Sequence, residues 1–122
     1  MIGSMEGDPT SRNVVLYRPD PRKLERRVRE LALDSKNVRW RSSNYDTHAE
    51  SQMDWRDITD KMMFEVLRTG FVKGEIEAGK YPGEWKIKMC KAMKGQREVG
   101  VVTIVVRDQR LFVKTVEWED VR

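Results

Sequence analysis

Trp85-Lys-Ile-Lys-Met-Cys-Lys-Ala-Met-Lys94 and, four residues later, Val99-Gly-Val-Val-Thr-Ile-Val-Val106 decide the fold class. In the first stretch Trp85, Ile87, Met89, Lys91 and Met93 alternate with Lys86, Lys88, Cys90, Ala92 and Lys94. A period of two is that of a strand buried on one face, here with a lysine-rich second face. The second stretch is dense in β-branched residues and reads as a central strand. Gly95–Glu98 turns between them, Arg107-Asp-Gln-Arg110 turns again, and Leu111–Trp118 returns as the last strand. Successive strands joined by short turns make an antiparallel meander.

Upstream, Gly79, Pro82 and Gly83 make Ala78–Glu84 a turn, and Phe71–Ile76 reads as a short strand. Before Gly70 the period changes to that of a helix. Met63, Val66 and Leu67, helped by Met62, share one face; Thr59 supplies a cap, and Ile58 can pack on Met63 as a staple. Gly70 is expected to stop this helix in the left-handed conformation. Thr47-His-Ala-Glu50 has the spacing of a capping box, so a short helix is expected from about Thr47 to Trp55. Ala49 and Met53 would point inward, with His48, Gln52 and Arg56 on another face. Asp20-Pro21 marks a further helix start, with Leu24, Val28 and Leu31 as its apolar stripe and an end near Asp34–Asn37. Val38–Asn44 reads as an irregular basic link, and residues 1–16 as a leader or flexible tail. The expectation is an α+β protein, with two or three N-terminal helices packed on a small antiparallel β-sheet, as a single domain over residues 17–122.

The chain of 122 residues suits one domain, and 36% charged residues imply a densely charged surface. No apolar run approaches a membrane span and no signal peptide opens the chain, so no membrane partner is expected. A single cysteine, Cys90, excludes an internal disulfide framework and suits the cytoplasm. The net charge of +4 is unevenly placed: residues 1–41 are basic, residues 42–80 acidic, and residues 81–97 set Lys86, Lys88, Lys91, Lys94 and Arg97 against Glu84. Two basic segments could converge on RNA phosphates, or could be ordinary solvated faces.

From His48 to Trp118 the chain resembles the bacterial domain-of-unknown-function family 4258. The matching residues are His48, Arg56-Asp-Ile-Thr59, Glu65-Val-Leu-Arg-Thr-Gly70, Tyr81-Pro82 and Phe112-Val-Lys-Thr-Val-Glu-Trp118. The resemblance covers about 70 residues, within a family-like core of 45–119. Gln52 stands where the family commonly has arginine, and Asp57 where it has glycine. That family is similar to the RelE/ParE-type toxins, which implies a RelE-like fold. It also implies endoribonuclease activity on RNA, including ribosome-bound messenger RNA, and neutralisation by an antitoxin protein.

RNA can be cleaved without a metal when the 2′-hydroxyl attacks its own phosphate. That needs a base, an acid for the leaving oxygen, and cations for the charge that builds on phosphorus. His48, the one histidine, is the natural proton carrier. Arg56 offers a planar fork for phosphate. Tyr81 can stack on a base or donate a proton, and Glu117 is an alternative base. Arg26, Arg27, Lys86, Lys88 and Arg97 are the candidate RNA-binding cations. For each a plain structural role competes: a capping His48, an Arg56 paired with its neighbouring aspartates, a turn-packing Tyr81, a solvent-facing lysine row. One His and one Cys cannot form a zinc site from nitrogen and sulfur ligands, and no cofactor is expected. No phosphate-binding glycine loop and no Gly-x-Ser-x-Gly elbow is present. The non-enzymatic alternative is an RNA- or protein-binding module of the same fold.

Overall fold

Asp20 caps the first helix, α1 (Pro21–Ala32), by accepting a hydrogen bond from the Arg22 backbone N–H. This is a computed structural model, and it describes residues 19–40, 53, 56–93, 95 and 97–119. Leu24, Val28, Leu31 and Ala32 are the buried residues of α1. A 3-10 turn at Ser35–Asn37 follows, capped by Asp34, and then β1 (Val38–Arg39). The second helix, α2 (Asp60–Thr69), is capped by the Thr59 hydroxyl, which accepts from the Met62 N–H. It buries Met63, Phe64, Val66 and Leu67. Five further strands complete the described chain: β2 (Phe71–Val72), β3 (Glu77–Ala78), β4 (Glu84–Ala92), β5 (Glu98–Val106) and β6 (Arg110–Trp118).

The six strands form one mixed sheet in the order β1-β6-β5-β4-β2, with β3 also paired to β4. The β4-β5-β6 meander is antiparallel, as its alternation implied. The sheet is not wholly antiparallel, however. β1 runs parallel to β6, pairing Val38 with Leu111 and Arg39 with Phe112. Val38–Arg39 is therefore a short edge strand rather than part of an irregular link. The expected strand at Phe71–Ile76 is shorter than read: β2 covers only Phe71–Val72, paired with Cys90 and Met89, Gly74 at φ 84 bends the chain after it, and a separate β3 at Glu77–Ala78, reaching into the expected turn, pairs with Lys86 and Trp85.

Gly70 corrects a further expectation. It does cap α2, but in an extended conformation (φ −81, ψ −171), not a left-handed one. Glycine is needed there for space. A Cβ would lie 2.4 Å from the Val66 carbonyl oxygen and 2.6 Å from that of Cys90. The Gly70 carbonyl in turn accepts from the Arg29 guanidinium, and Arg68 Nε donates to the Ala32 carbonyl at 2.7 Å, so the two helix ends are tied to each other.

Both helices cover one face of the sheet. The core joins Leu24, Val28 and Leu31 of α1 and Met63, Val66 and Leu67 of α2 to Ile87, Met89, Val99, Val101, Val105, Leu111, Val113 and Val116 of the sheet. Met53 is also buried, while Met62, Trp85, Met93 and Trp118 pack at the rim, so the methionines fill the core as read. The β5–β6 connection is the three-residue turn over 107–109, with Arg107 at φ 51 and Asp108 at φ 60, the left-handed pair that suits a hairpin's twist. Arg27 clamps it, donating to the Asp108 carbonyl and carboxylate. Two α-helices are thus placed among the described residues. The expected helix over Thr47–Trp55 falls almost wholly outside them, as do residues 1–16. Among the described residues no helix is long and apolar enough to cross a membrane.

Candidate functional site

Alternation along β4, β5 and β6, broken once in β6 by a register shift opposite Val102 and Thr103, sends side chains to the face that the helices leave open. Cross-strand register groups them in rows. Lys86 lies opposite Ile104 and Phe112, Lys88 opposite Val102 and Thr115, and Cys90 opposite Gly100 and Glu117. At the Cys90 end the row carries charge. The Lys88 ammonium lies 2.7 Å from Glu119 Oε1 and 3.5 Å from Glu117 Oε2. Lys73, just after β2, reaches the same cluster and pairs with Glu98 Oε1 at 2.7 Å and with Glu119 at 3.6 Å.

Gly100 makes room for this cluster. A Cβ there would lie 2.3 Å from Glu119 Oε2 and 2.9 Å from Lys88 Cε, so the Glu119 carboxylate rests over the glycine backbone. The Glu119 side chain is only 9% exposed, and its Oε2 is buried without a hydrogen-bond partner among the described residues. The Glu119 backbone N–H donates to the Glu98 carbonyl at 2.7 Å, which holds the end of β6 against the start of β5.

These surroundings set the acid–base behaviour. Burial pushes the Cys90 thiol up to about 12, with the Glu119 and Glu98 carboxylates adding to the rise. The thiol is therefore protonated at neutral pH. Burial draws Lys88 down, but its hydrogen bond and charge pairing with Glu119, and the Glu117 charge, leave it above its usual value. Lys73 is raised by its hydrogen bond to Glu98. Both lysines are therefore cations at neutral pH.

Beside this cluster a cleft of about 260 Å³ is lined by Arg56, Lys88, Glu117, Trp118 and Glu119. Arg56 is locked from two sides. Its Nη1 donates to the Val116 carbonyl at 2.7 Å, and its own carbonyl accepts from Trp118 Nε1 at 2.7 Å. The Arg97 guanidinium lies over the Trp118 ring, 4.2 Å from its centre. Three residues singled out in sequence, Arg56, Lys88 and Glu117, thus share one cleft, and Arg97 reaches its aromatic wall.

The remaining candidates are dispersed. Tyr81 is 58% exposed in the turn before β4, and the strand rise puts the Glu84 end of β4 about 13 Å from Lys88. Tyr81 contacts Lys80 and does not line the cleft. Lys86 shares the open face but pairs with Glu77 at 3.9 Å. Arg26 is exposed on α1, and Arg27 is engaged by Asp108 and Glu30; neither lines the cleft. Of the alternating lysines, Lys91 belongs to the helix side, where it pairs with Glu65 at 2.8 Å. His48 lies outside the described residues. A larger cleft of about 570 Å³ lies by the start of α1, lined by Lys23, Arg27, Trp85 and Arg107 among others. Its Arg27 is already committed to the β5–β6 turn.

Glu119, Trp118 and Lys73 were not singled out in sequence as site residues. Glu119 had a usable signal, because it stands two residues after Glu117 and a strand puts both on one side. Lys73 had none, since it enters from a loop. The chain matches no protein-family model, no curated protein and no solved structure.

Proposed function

We propose that this protein is a toxin-like, metal-independent endoribonuclease of RelE-like arrangement, acting on RNA in the cytoplasm and held in check by an antitoxin protein. The observation that carries this reading is the convergence of Arg56, Lys88 and Glu117 on one cleft from distant parts of the chain. Two cations beside a carboxylate suit in-line attack by a 2′-hydroxyl. Glu117 would take the hydroxyl proton, and Arg56 and Lys88 would stabilise the charge on the phosphorane oxygens. His48 is the candidate acid for the leaving 5′-oxygen. Trp118, backed by Arg97, offers a face on which a base can stack. Asp57 adds support for the family resemblance. It has φ 61, a conformation glycine adopts cheaply, and it stands where that family carries glycine.

A second reading, an RNA- or protein-binding module without chemistry, is favoured by the pairing of Lys88 with both Glu117 and Glu119, which neutralises part of its charge. The two readings separate in one experiment. Purified protein is incubated with RNA, with and without ribosomes and in the presence of chelator. The ribonuclease reading expects cleavage that falls about 100-fold or more in both Arg56→Ala and Glu117→Gln, with the fold intact by circular dichroism. Intact RNA together with salt-dependent binding would establish the binding module instead.

A further inference from the structure

The sequence cannot supply a zinc site from nitrogen and sulfur ligands, but the fold brings one sulfur and two carboxylates together. We propose that Cys90, Glu98 and Glu119 form a binding site for one thiophilic divalent cation of the zinc type, stapling the open ends of β4, β5 and β6.

Three observations carry the proposal. The Cys90 sulfur and one carboxylate oxygen each from Glu98 and Glu119 all lie within 4.8 Å of one another. Around a tetrahedral ion, sulfur at about 2.3 Å and oxygen at about 2.0–2.2 Å from the metal sit roughly 3.5 Å apart, so side-chain rotations of about 1 Å close the set. Second, the Glu119 side chain is nine-tenths buried, and its Oε2 has no hydrogen-bond partner among the described residues. A buried carboxylate oxygen left unsatisfied is costly, and a cation is one partner that would satisfy it. Third, lysines already hold one oxygen of each carboxylate. Lys73 takes Glu98 Oε1 and Lys88 takes Glu119 Oε1. They occupy one side of each carboxylate and orient the other, as outer hydrogen-bond partners do in metal sites.

The donor set also selects the ion. Calcium takes six to eight oxygen ligands and magnesium near-octahedral oxygen geometry, which two carboxylates beside two ammonium groups supply poorly. A thiolate favours zinc-like ions, and three protein ligands leave a fourth position for water. On binding, the Cys90 S–H bond breaks, the sulfur–metal bond forms with the electron pair of the thiolate, and the proton passes to solvent. No oxidant or reductant takes part. The site uses none of Arg56, Lys88 or Glu117 as ligands, so it stands or falls separately from the ribonuclease reading.

The test is titration of chelator-treated full-length protein with Co²⁺, followed in the near ultraviolet, where a thiolate-to-cobalt charge-transfer band reports a Co–S bond. One Co²⁺ per chain should produce the band, and Zn²⁺ should abolish it. Cys90→Ser should lack the band while still folded, and Glu119→Gln should bind Co²⁺ about tenfold or more weakly. Zn²⁺ should also raise the melting temperature of the wild-type protein and leave that of Cys90→Ser unmoved. A folded wild-type protein that gives no charge-transfer band in excess Co²⁺ overturns the proposal, as does a Glu119→Gln variant with undiminished affinity. Histidine coordination elsewhere in the chain would not produce this band.

Discussion

The two faces of the sheet are made from alternate residues of the same three strands, yet different physics holds them. On the helix-covered face Ile87, Met89, Val99, Val101, Val105, Leu111, Val113 and Val116 are closed to solvent. Their contribution is apolar area removed from water, insensitive to charge. On the open face Lys73, Lys88, Glu98, Glu117 and Glu119 surround one buried thiol. Partly exposed ion pairs of this kind contribute little each to stability. The covered face therefore sets how firmly the protein folds. The open face can hold chemistry because the fold depends on it less.

Met89→Ala tests that contrast most severely. Truncating a fully buried methionine on the covered face should cost about 2–5 kcal/mol in chemical denaturation. A loss below about 1 kcal/mol would mean that this face does not dominate stability. Two glycines give a finer comparison. In Gly70→Ala the new methyl meets backbone oxygens of Val66 and Cys90, which cannot move away cheaply. In Gly100→Ala it meets Glu119 Oε2 and Lys88 Cε, side-chain atoms that can yield by disturbing the Lys88–Glu119 pair. The first should cost about 1–3 kcal/mol or more, and the second about 1 kcal/mol or less. Equal losses at both positions would show the open face to be as rigid as the covered one.

The smallest effect is a pH dependence confined to the open face. The Cys90 thiol ionises near 9.0 when unfolded and near 12 when folded. Above pH 9 the unfolded chain releases this proton while the folded chain keeps it, so stability falls as pH rises, by about 1.4 kcal/mol per unit at most. Lys73 and Lys88 are raised above 10.5, so the stability they contribute is lost only at still higher pH. Among the described residues, Cys90 is the group whose raised pKa acts between pH 9 and 10.5. Urea titrations across that range should show this slope in the wild-type protein and show it diminished in Cys90→Ser. Identical slopes would mean that the thiol is not shielded as described.

Elements with a long period were readable in the sequence, and those without one were not. Asp20 and Thr59 cap α1 and α2 as their positions indicated, and Leu24, Val28, Leu31, Met63, Val66 and Leu67 are all buried. The β4-β5-β6 meander followed from alternation and turn residues. Two residues cannot display a period, so β1 read as a link, β2 was drawn too long and β3 was not read as a strand. Gly70 was placed correctly as a helix stop, but part of its reason lies in Cys90, twenty residues away, which local sequence does not reveal. The site divided in the same way. Arg56, Lys88, Glu117 and Arg97 meet at one end of the sheet, because register brings remote positions together there. Lys86 belongs to a row nearer the other end, which only the register reveals, and Tyr81 to the turn beyond it.

The parallel pairing of β1 with β6 bears on the order in which the chain assembles. A ribosome makes β1 before α2 and before all the other described strands, yet β1 has no neighbour in the sheet until β6 has emerged. Closing so long a loop is slow compared with forming a hairpin. The β-branched β5 becomes available earlier and can pair at once with β4, but the edge beyond β6 still waits. Connectivity, and not strand strength, thus dictates that this sheet is completed last at the edge whose residues are synthesised first.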